Sequence, residues 1–283
     1  MFNNWLTGLI EGDGTIITPD TTYTTTYDTN FNLKKYKKYP FIRIAFHKKD
    51  YPLAIKITEI LGYGNLIEDK GALNSILWSV SSKKEIWDLM ERLNGNMRTP
   101  KIQRLYKLID WYKDEKFLNK KEIDQSNINS NPWLSGMSDA DSNFNIIITA
   151  LKNNNYRINR QWRLEFSQKT YHGLDQVYWA MRISAFIKTN LLIRARTLNI
   201  NGENKIYSSF IVVAHNGESR QIIEEYFHQY PLFSAKHLDF KDWESCGLIT
   251  DVKNKENYDK AKYIKSCMNN LRTQFKWDHL NLL

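Results

Sequence analysis

Cysteine is almost missing from this chain. Two in 283 residues, Cys246 and Cys267, rule out a disulfide scaffold and suggest thiols kept reduced in a reducing compartment. No Cys/His cluster has zinc-ligand spacing, which argues against a zinc finger. No apolar run approaches the roughly 18 residues of a membrane span, so no membrane partner is expected. A distinctive string begins almost at the first residue, so no secretory leader is expected either. The rest of the composition is that of a globular protein, 42% hydrophobic and 25% charged. The length allows two domains of roughly 100–150 residues.

Acidic residues are the next shortage. Forty Lys plus Arg stand against 31 Asp plus Glu, a net charge of +9. A polyanion is the natural partner and nucleic acid the first candidate. Charge alone does not separate a nucleic-acid binder from a merely basic soluble protein.

What decides more is a string that occurs twice. Trp5-Leu6-Thr7-Gly8-Leu9-Ile10-Glu11-Gly12-Asp13-Gly14 near the start returns as Trp133-Leu134-Ser135-Gly136-Met137-Ser138-Asp139-Ala140-Asp141-Ser142. Both read Trp, Leu, small, Gly, apolar, variable, acid, small, Asp. Each runs into an apolar or β-branched stretch, Thr15-Ile16-Ile17 and Phe144-Asn145-Ile146-Ile147-Ile148. An internal repeat implies two copies of one structural unit.

The chain divides accordingly into an N-terminal half (1–113), a polar linker (114–130), a C-terminal half (131–243) and a helical extension (244–283). In each half the pattern after the motif helix predicts strands, a helix, strands and a closing helix. Helices are expected at Leu53–Leu61, Leu174–Ile187, Lys83–Leu93 and Ser219–Tyr230, and strands at Phe41–Phe46, Leu73–Ser81, Leu191–Leu198 and Tyr207–Ala214. An Asn201-Gly202 turn separates the last two strands. The extension looks helical over Asp259–Phe275. The order α-β-β-α-β-β-α, used twice, predicts an α+β fold with two pseudo-symmetric halves and antiparallel sheets. Thr18–Lys38, dense in Thr and Tyr and ending in Lys34-Lys35-Tyr36-Lys37-Lys38, reads as a solvated hairpin loop or as a basic arm that meets phosphates.

Each repeated string, as a helix, is apolar on most of its turns and must be buried. Gly8 and Gly12 lie four apart on one face, as do Gly136 and Ala140, a spacing that lets two helix backbones approach closely. If the two copies pack on each other, the ends carrying Asp13 and Asp141 come together. Two carboxylates side by side coexist most easily around divalent cations. Glu11 and Asp139, two residues earlier, point about 200° away from these, so only one acid of each pair can serve such a site. The later one sits at the open helix end.

These strings resemble the signature helices of LAGLIDADG homing endonucleases in their single-chain, two-motif form. The resemblance covers residues 1–243 in general plan. It implies saddle-shaped sheets packed through the motif helices, and a catalytic Mg²⁺ (with Mn²⁺ or Ca²⁺ as substitutes) held by Asp13 and Asp141 with the carbonyls of Gly12 and Ala140. It further implies a lysine after the second helix of each half. Arg98-Thr99-Pro100-Lys101 and Pro231-Leu232-Phe233-Ser234-Ala235-Lys236 match, pointing to Lys101 and Lys236. A polar residue at a strand end orders the water network, which gives Gln168 and, as a weaker match, His47. The second copy departs from the pattern at Ser138 and Ser142.

The resemblance also implies a long, asymmetric double-stranded DNA target read by the sheets of a monomer, with one phosphodiester hydrolysed per strand. The candidate base readers are Arg43, Ser75, Ser79, Arg163, Glu165, Arg194, Arg196 and Ser208, with Lys34, Lys35, Lys37 and Lys38 as phosphate contacts. Host intron RNA is a further partner to weigh, since an intron maturase on the same fold is the rival reading. The family's frequent residence in organelle introns suggests an intracellular, mitochondrial or other organellar setting.

Overall fold

In a computed structural model of the protein, residues 1–69, 71–113, 117–151, 156–170, 173–200, 202–249 and 255–283 are described. The chain divides into two units, Asp13–Asp124 and a second composed of Met1–Gly12 with Gln125–Leu283. The first repeated string is α1 (Phe2–Gly12), with Trp5 through Glu11 all buried. Its first turn holds no acidic residue, and the residues that follow it belong to the other unit.

Asp13–Asp124 contains β1 (Gly14–Ile17), β2 (Tyr23–Tyr27), β3 (Leu33–Lys37), β4 (Phe41–His47), α2 (Tyr51–Leu61), β5 (Asn65–Glu68), β6 (Ser75–Val80), α3 (Lys83–Leu93) and α4 (Ile102–Trp111). Four strands form an antiparallel sheet in the order β1-β4-β6-β5. Alternation along β4 sends Ile42, Ile44 and Phe46 into the core and leaves Arg43, Ala45 and His47 on the other face. Buried residues of α2, α3 and α4, among them Ile57, Leu89 and Leu105, complete this core. Local signals set the helix ends. Ser82 Oγ accepts from Glu85 N at the start of α3, and Gly62, at φ +75°, closes α2. The Thr/Tyr-rich stretch is a separate two-stranded ribbon, β2 against β3, almost wholly exposed.

The second unit adds to α1 the elements α5 (Trp133–Asp141), β7 (Ser142–Ala150), β8 (Tyr156–Ser167), α6 (Val177–Phe186), β9 (Leu192–Ile200), β10 (Glu203–Ala214), α7 (Gly217–Gln229), α8 (Lys236–Cys246) and α9 (Lys255–Ser266). Its sheet runs β7-β8-β10-β9, the same order as β1-β4-β6-β5. Trp162, Leu164 and Val212 face a core shared with Trp133, Ile183, Phe227 and Trp243. The expected α+β plan with antiparallel sheets is therefore present in both halves, each with one more helix after its closing one.

Several bounds differ from those the sequence suggests. Of Leu73–Ser81, Ser75–Val80 is the strand β6, and it pairs with the short β5 that the sequence does not announce. Helix α6 starts at Val177 rather than Leu174, because Gln176 N is bonded to Gln168 O and Asp175 Oδ1 receives Val177 N. The C-terminal helix covers Lys255–Ser266 rather than reaching Phe275, and Asn269, at φ +56°, turns the chain away. Asn201 of the expected turn lies outside the described residues, while Gly202 has φ +85°. Of the expected linker, residues 114–116 lie outside them too. The following stretch is fastened to Asp13–Asp124 through Asn94 Nδ2 to Asn119 O and an Arg98–Asp124 ion pair at 2.7 Å.

Candidate active site

Helices α1 and α5 meet at their glycines. A Cβ on Gly8 would stand 2.0 Å from the Trp133 carbonyl oxygen, and one on Gly136 would stand 1.8 Å from that of Trp5. Only a bare backbone fits at either place. The two helices also exchange a tryptophan–acid pair. Trp5 Nε1 donates to Asp139 Oδ2 at 2.8 Å, and Trp133 Nε1 donates to Glu11 Oε2 at 2.6 Å.

This exchange accounts for the earlier acid of each string. Glu11 is 6% exposed and Asp139 5%. Asp139 also accepts from the backbone N–H groups of Phe233 and Ser234 and from Ser234 Oγ, all within 2.9 Å. Burial pushes the Asp139 carboxyl above the usual carboxylate range, against the pull of those four donors. Such a group fastens helices and is closed to substrate.

The later acids, Asp13 and Asp141, are exposed. Beside each one, a lysine holds the backbone. In Asp13–Asp124, Lys101 Nζ donates to Gly14 O at 2.8 Å. In the second unit, Lys236 Nζ donates to Ala140 O at 2.5 Å and Ser138 O at 3.1 Å. Both lysines sit at the start of a helix, α4 and α8, after a Ser or Thr whose hydroxyl accepts the lysine N–H. Each unit therefore carries an exposed aspartate within one residue of a carbonyl gripped by an ammonium group.

Taken half by half, the donors are of the kind a divalent cation takes. The aspartates and the carbonyls of Gly12 and Ala140 are hard oxygen ligands, the kind Mg²⁺ and Ca²⁺ take. Among the described residues no group of three or more His, Cys, Asp or Glu stands together as a ready-made cage. Ala140 O already accepts Lys236 Nζ, so a cation there would use the carbonyl's second lone pair. Gly12 must stay small: its Cβ would overlap Ala140 Cβ at 2.2 Å and lie 3.4 Å from Asp141 Oδ2.

The sheet registers place the remaining candidates. Arg43, Ser75 and Ser79 share one face of the first sheet, since Arg43 pairs with Ser79 and His47 with Ser75, although Ser79 is only 6% exposed. Arg163, Glu165, Arg194 and Arg196 share one face of the second. There Glu165 binds Arg163, lies 3.2 Å from Arg196 and 3.8 Å from Arg194, and accepts from Ser209 Oγ at 2.7 Å. Partial burial would raise its carboxyl, but that hydroxyl together with Arg163 and Arg196 holds it below the usual range.

Ser208 does not belong with this group. It pairs with Ala195 and lies on the side of Phe210, so the neighbouring Ser209 takes the outward place. His47 and Gln168 are likewise not equivalent. Gly14 pairs with Ile44 and Ser142 with Leu164, which makes Ser167 the counterpart of His47 and Lys48 that of Gln168. His47 Nδ1 accepts from Lys49 N at 3.1 Å and caps a short turn. Gln168 bonds through its backbone, donating to Ser208 O and accepting from Gln176 N.

Lys34, Lys35, Lys37 and Lys38 lie on or just beyond the exposed ribbon, with Lys35 4.1 Å from the centre of the Tyr23 ring. Sequence reasoning missed the roles of Trp5, Trp133 and Ser234. One signal for them existed, because the tryptophan precedes the buried acid by six residues in both strings.

Comparison with known proteins bears on the whole arrangement. The family model described as LAGLIDADG endonuclease matches residues 6–114 and 134–246. The intron-encoded DNA endonuclease aI3 of Saccharomyces cerevisiae is 30% identical, over 98% of this chain and 71% of that protein. The uncharacterized cox1 intron-2 37.2 kDa protein of Schizosaccharomyces pombe is 28% identical, over 88% of this chain and 66% of that protein. Among solved structures, the I-SmaMI LAGLIDADG homing endonuclease bound to cleaved DNA superposes with a TM-score of 0.66, covering 96% of this chain and 98% of the other. At 14% identity that is a likeness of fold. With the family model matched on both halves, each around one copy of the repeated string, the chain belongs to the LAGLIDADG endonuclease family.

Proposed function

We propose that the protein is a site-specific, metal-dependent DNA endonuclease that cuts both strands of a long, asymmetric duplex site as a monomer. The observation that carries this reading is the matched pair of exposed aspartates, each within one residue of a lysine-held carbonyl. Asp13, Asp141 and the carbonyls of Gly12 and Ala140 would hold Mg²⁺, which when bound supplies Lewis acidity and charge neutralisation for phosphodiester hydrolysis.

The chain's own residues do the rest. Lys101 and Lys236, held at helix starts, place positive charge where the phosphate gains negative charge. The outward faces of the two sheets meet base edges through Arg43, Arg163, Arg194 and Arg196, while Glu165 keeps the last three in fixed order. The basic ribbon adds phosphate contacts. One relative named as intron-encoded and one named for an intron of cox1 support an intron-encoded setting, for which we propose an organelle; among the described residues no helix is long and apolar enough to cross a membrane.

Incubation of the protein with a randomised duplex library and Mg²⁺ tests the reading, with an Asp13→Asn/Asp141→Asn variant in parallel. One long asymmetric site is expected, cut by the unmodified protein alone. Tight binding without any cut product, in Mg²⁺ or in Mn²⁺, would move the assignment to an intron-binding maturase.

A further inference from the structure

The segment after α9 has no part in the chemistry above, yet it is tied to the strand that follows Asp141 and to the helix that begins with Lys236. Asn269 makes three hydrogen bonds to β7 and α8. Its backbone N donates to Asp239 Oδ1 at 2.9 Å, its Nδ2 donates to Phe144 O at 3.0 Å, and its Oδ1 accepts from Asn143 Nδ2 at 2.9 Å. Three residues on, Arg272 donates through Nε and Nη2 to Asp239 Oδ1 at 3.0 and 2.8 Å and pairs with Asp242. Asp239 is 2% exposed, so this is a buried ion pair.

The places these bonds reach are specific. Asp239 lies on α8, one turn after Lys236, and Asn143 and Phe144 lie on β7, two and three residues after Asp141. The segment therefore spans the strand that begins just after the aspartate and the helix that begins at the lysine.

The other half closes the same junction without any added segment. Counting from the motif aspartates, Ile16 is the counterpart of Phe144. Counting from the lysines, Arg104 is the counterpart of Asp239. Arg104 Nη1 donates directly to Ile16 O at 3.4 Å. So a helix guanidinium reaches the strand carbonyl in one half. In the other half a carboxylate replaces it, Arg272 restores the guanidinium, and Asn269 supplies the donor to the carbonyl.

We propose that Asn269 and Arg272 are positioning residues for the half carrying Asp141 and Lys236, bracing β7 against α8 as Arg104 braces β1 against α4. This rests on the endonuclease reading. The brace sits outside the first ring of groups around the site and acts on the geometry of Asp141 and Lys236, as outer partners of metal ligands do. Without Arg272, Asp239 is a buried charge with its guanidinium gone, and the start of α8 loses its fixed relation to β7.

Cleavage of a supercoiled plasmid carrying the selected site, with each strand end-labelled in parallel, tests this on the full chain. Arg272→Ala is expected to accumulate nicked circle. The strand left intact should be the one spared by Asp141→Asn, and the variant should need about tenfold more Mg²⁺, the low end of what outer partners of metal ligands control. Binding to the same duplex without divalent ion is expected to persist. Asp239→Arg combined with Arg272→Ala, which recreates the arrangement of Arg104, should restore linear product.

If Arg272→Ala fails to fold, judged by circular dichroism, Asn269→Ala leaves no buried charge and carries the same expectation. Linearisation by these variants at the wild-type rate and Mg²⁺ requirement would overturn the brace. Equal loss of both strands would overturn it as well. Failure of the unmodified protein to cut at all would instead remove the endonuclease reading.

Discussion

His237 follows Lys236 on α8, and its ring stacks on that of His279 with centroids 4.1 Å apart. Burial, helped by the nearby His279 and Lys241, pushes its pKa down to about 4, from 6.5 in an exposed histidine. The folded protein thus refuses a proton that the unfolded chain binds between those values. More protons on the unfolded side means stability that rises with pH. Stability is therefore full above pH 6.5 and falls as the pH drops toward 4, with no further loss below that from this group. Urea midpoints measured from pH 4 to 7 should show that slope, and His237→Gln should flatten it. A variant with the wild-type slope would shift the cause to another group. At this scale the sequence was readable only where the meaning is local. The motif aspartates stand out in their strings, whereas the crossed pairing of Trp5 with Asp139 and Trp133 with Glu11 needs the partner helix to be in place.

Elements show the same division between what short patterns carry and what assembly adds. Alternation on β4 and the apolar runs of the motif helices were legible, because each is written within ten residues. The four-residue β5 was not, since its stretch carries no alternation long enough to see, and Ser208 was put on the wrong face for want of a register. The glycine spacing in α1 and α5 was legible, and the close approach it allows has a measurable cost of loss. Gly8→Ala and Gly136→Ala each drive a methyl group into a backbone carbonyl that cannot move aside. Each should destabilise by about 1–3 kcal/mol or more, the usual range for an overfilled core. Gly217→Ala is the contrasting case: nothing lies within 4 Å of its Cβ position at the start of α7. It should be neutral or stabilising by about 0.4–1 kcal/mol, through the unfolded chain. Denaturant unfolding of the three variants separates these outcomes.

As a whole molecule the protein is a duplication whose copies have diverged without losing their plan. Both sheets keep one strand order, both motif strings keep one buried and one exposed acid, and both lysines keep their helix start. Divergence has settled elsewhere. The first half holds a ribbon between β1 and β4, the second a C-terminal segment, and the arginines at the outward face are more numerous on the second sheet. On the proposed reading each half has its own aspartate and lysine and its own stretch of an asymmetric target, so the two strands need not be cut with equal ease. Asp13→Asn and Asp141→Asn as single substitutions should each abolish linearisation of a plasmid carrying the selected site. Any residual nick is expected in opposite strands for the two variants, and chelation of Mg²⁺ should stop both cuts while duplex binding persists. Strand-specific labelling reads this directly. Nicks in the same strand from both variants would mean that the two carboxylates serve one cut together, and the assignment of one strand to each half would have to be given up.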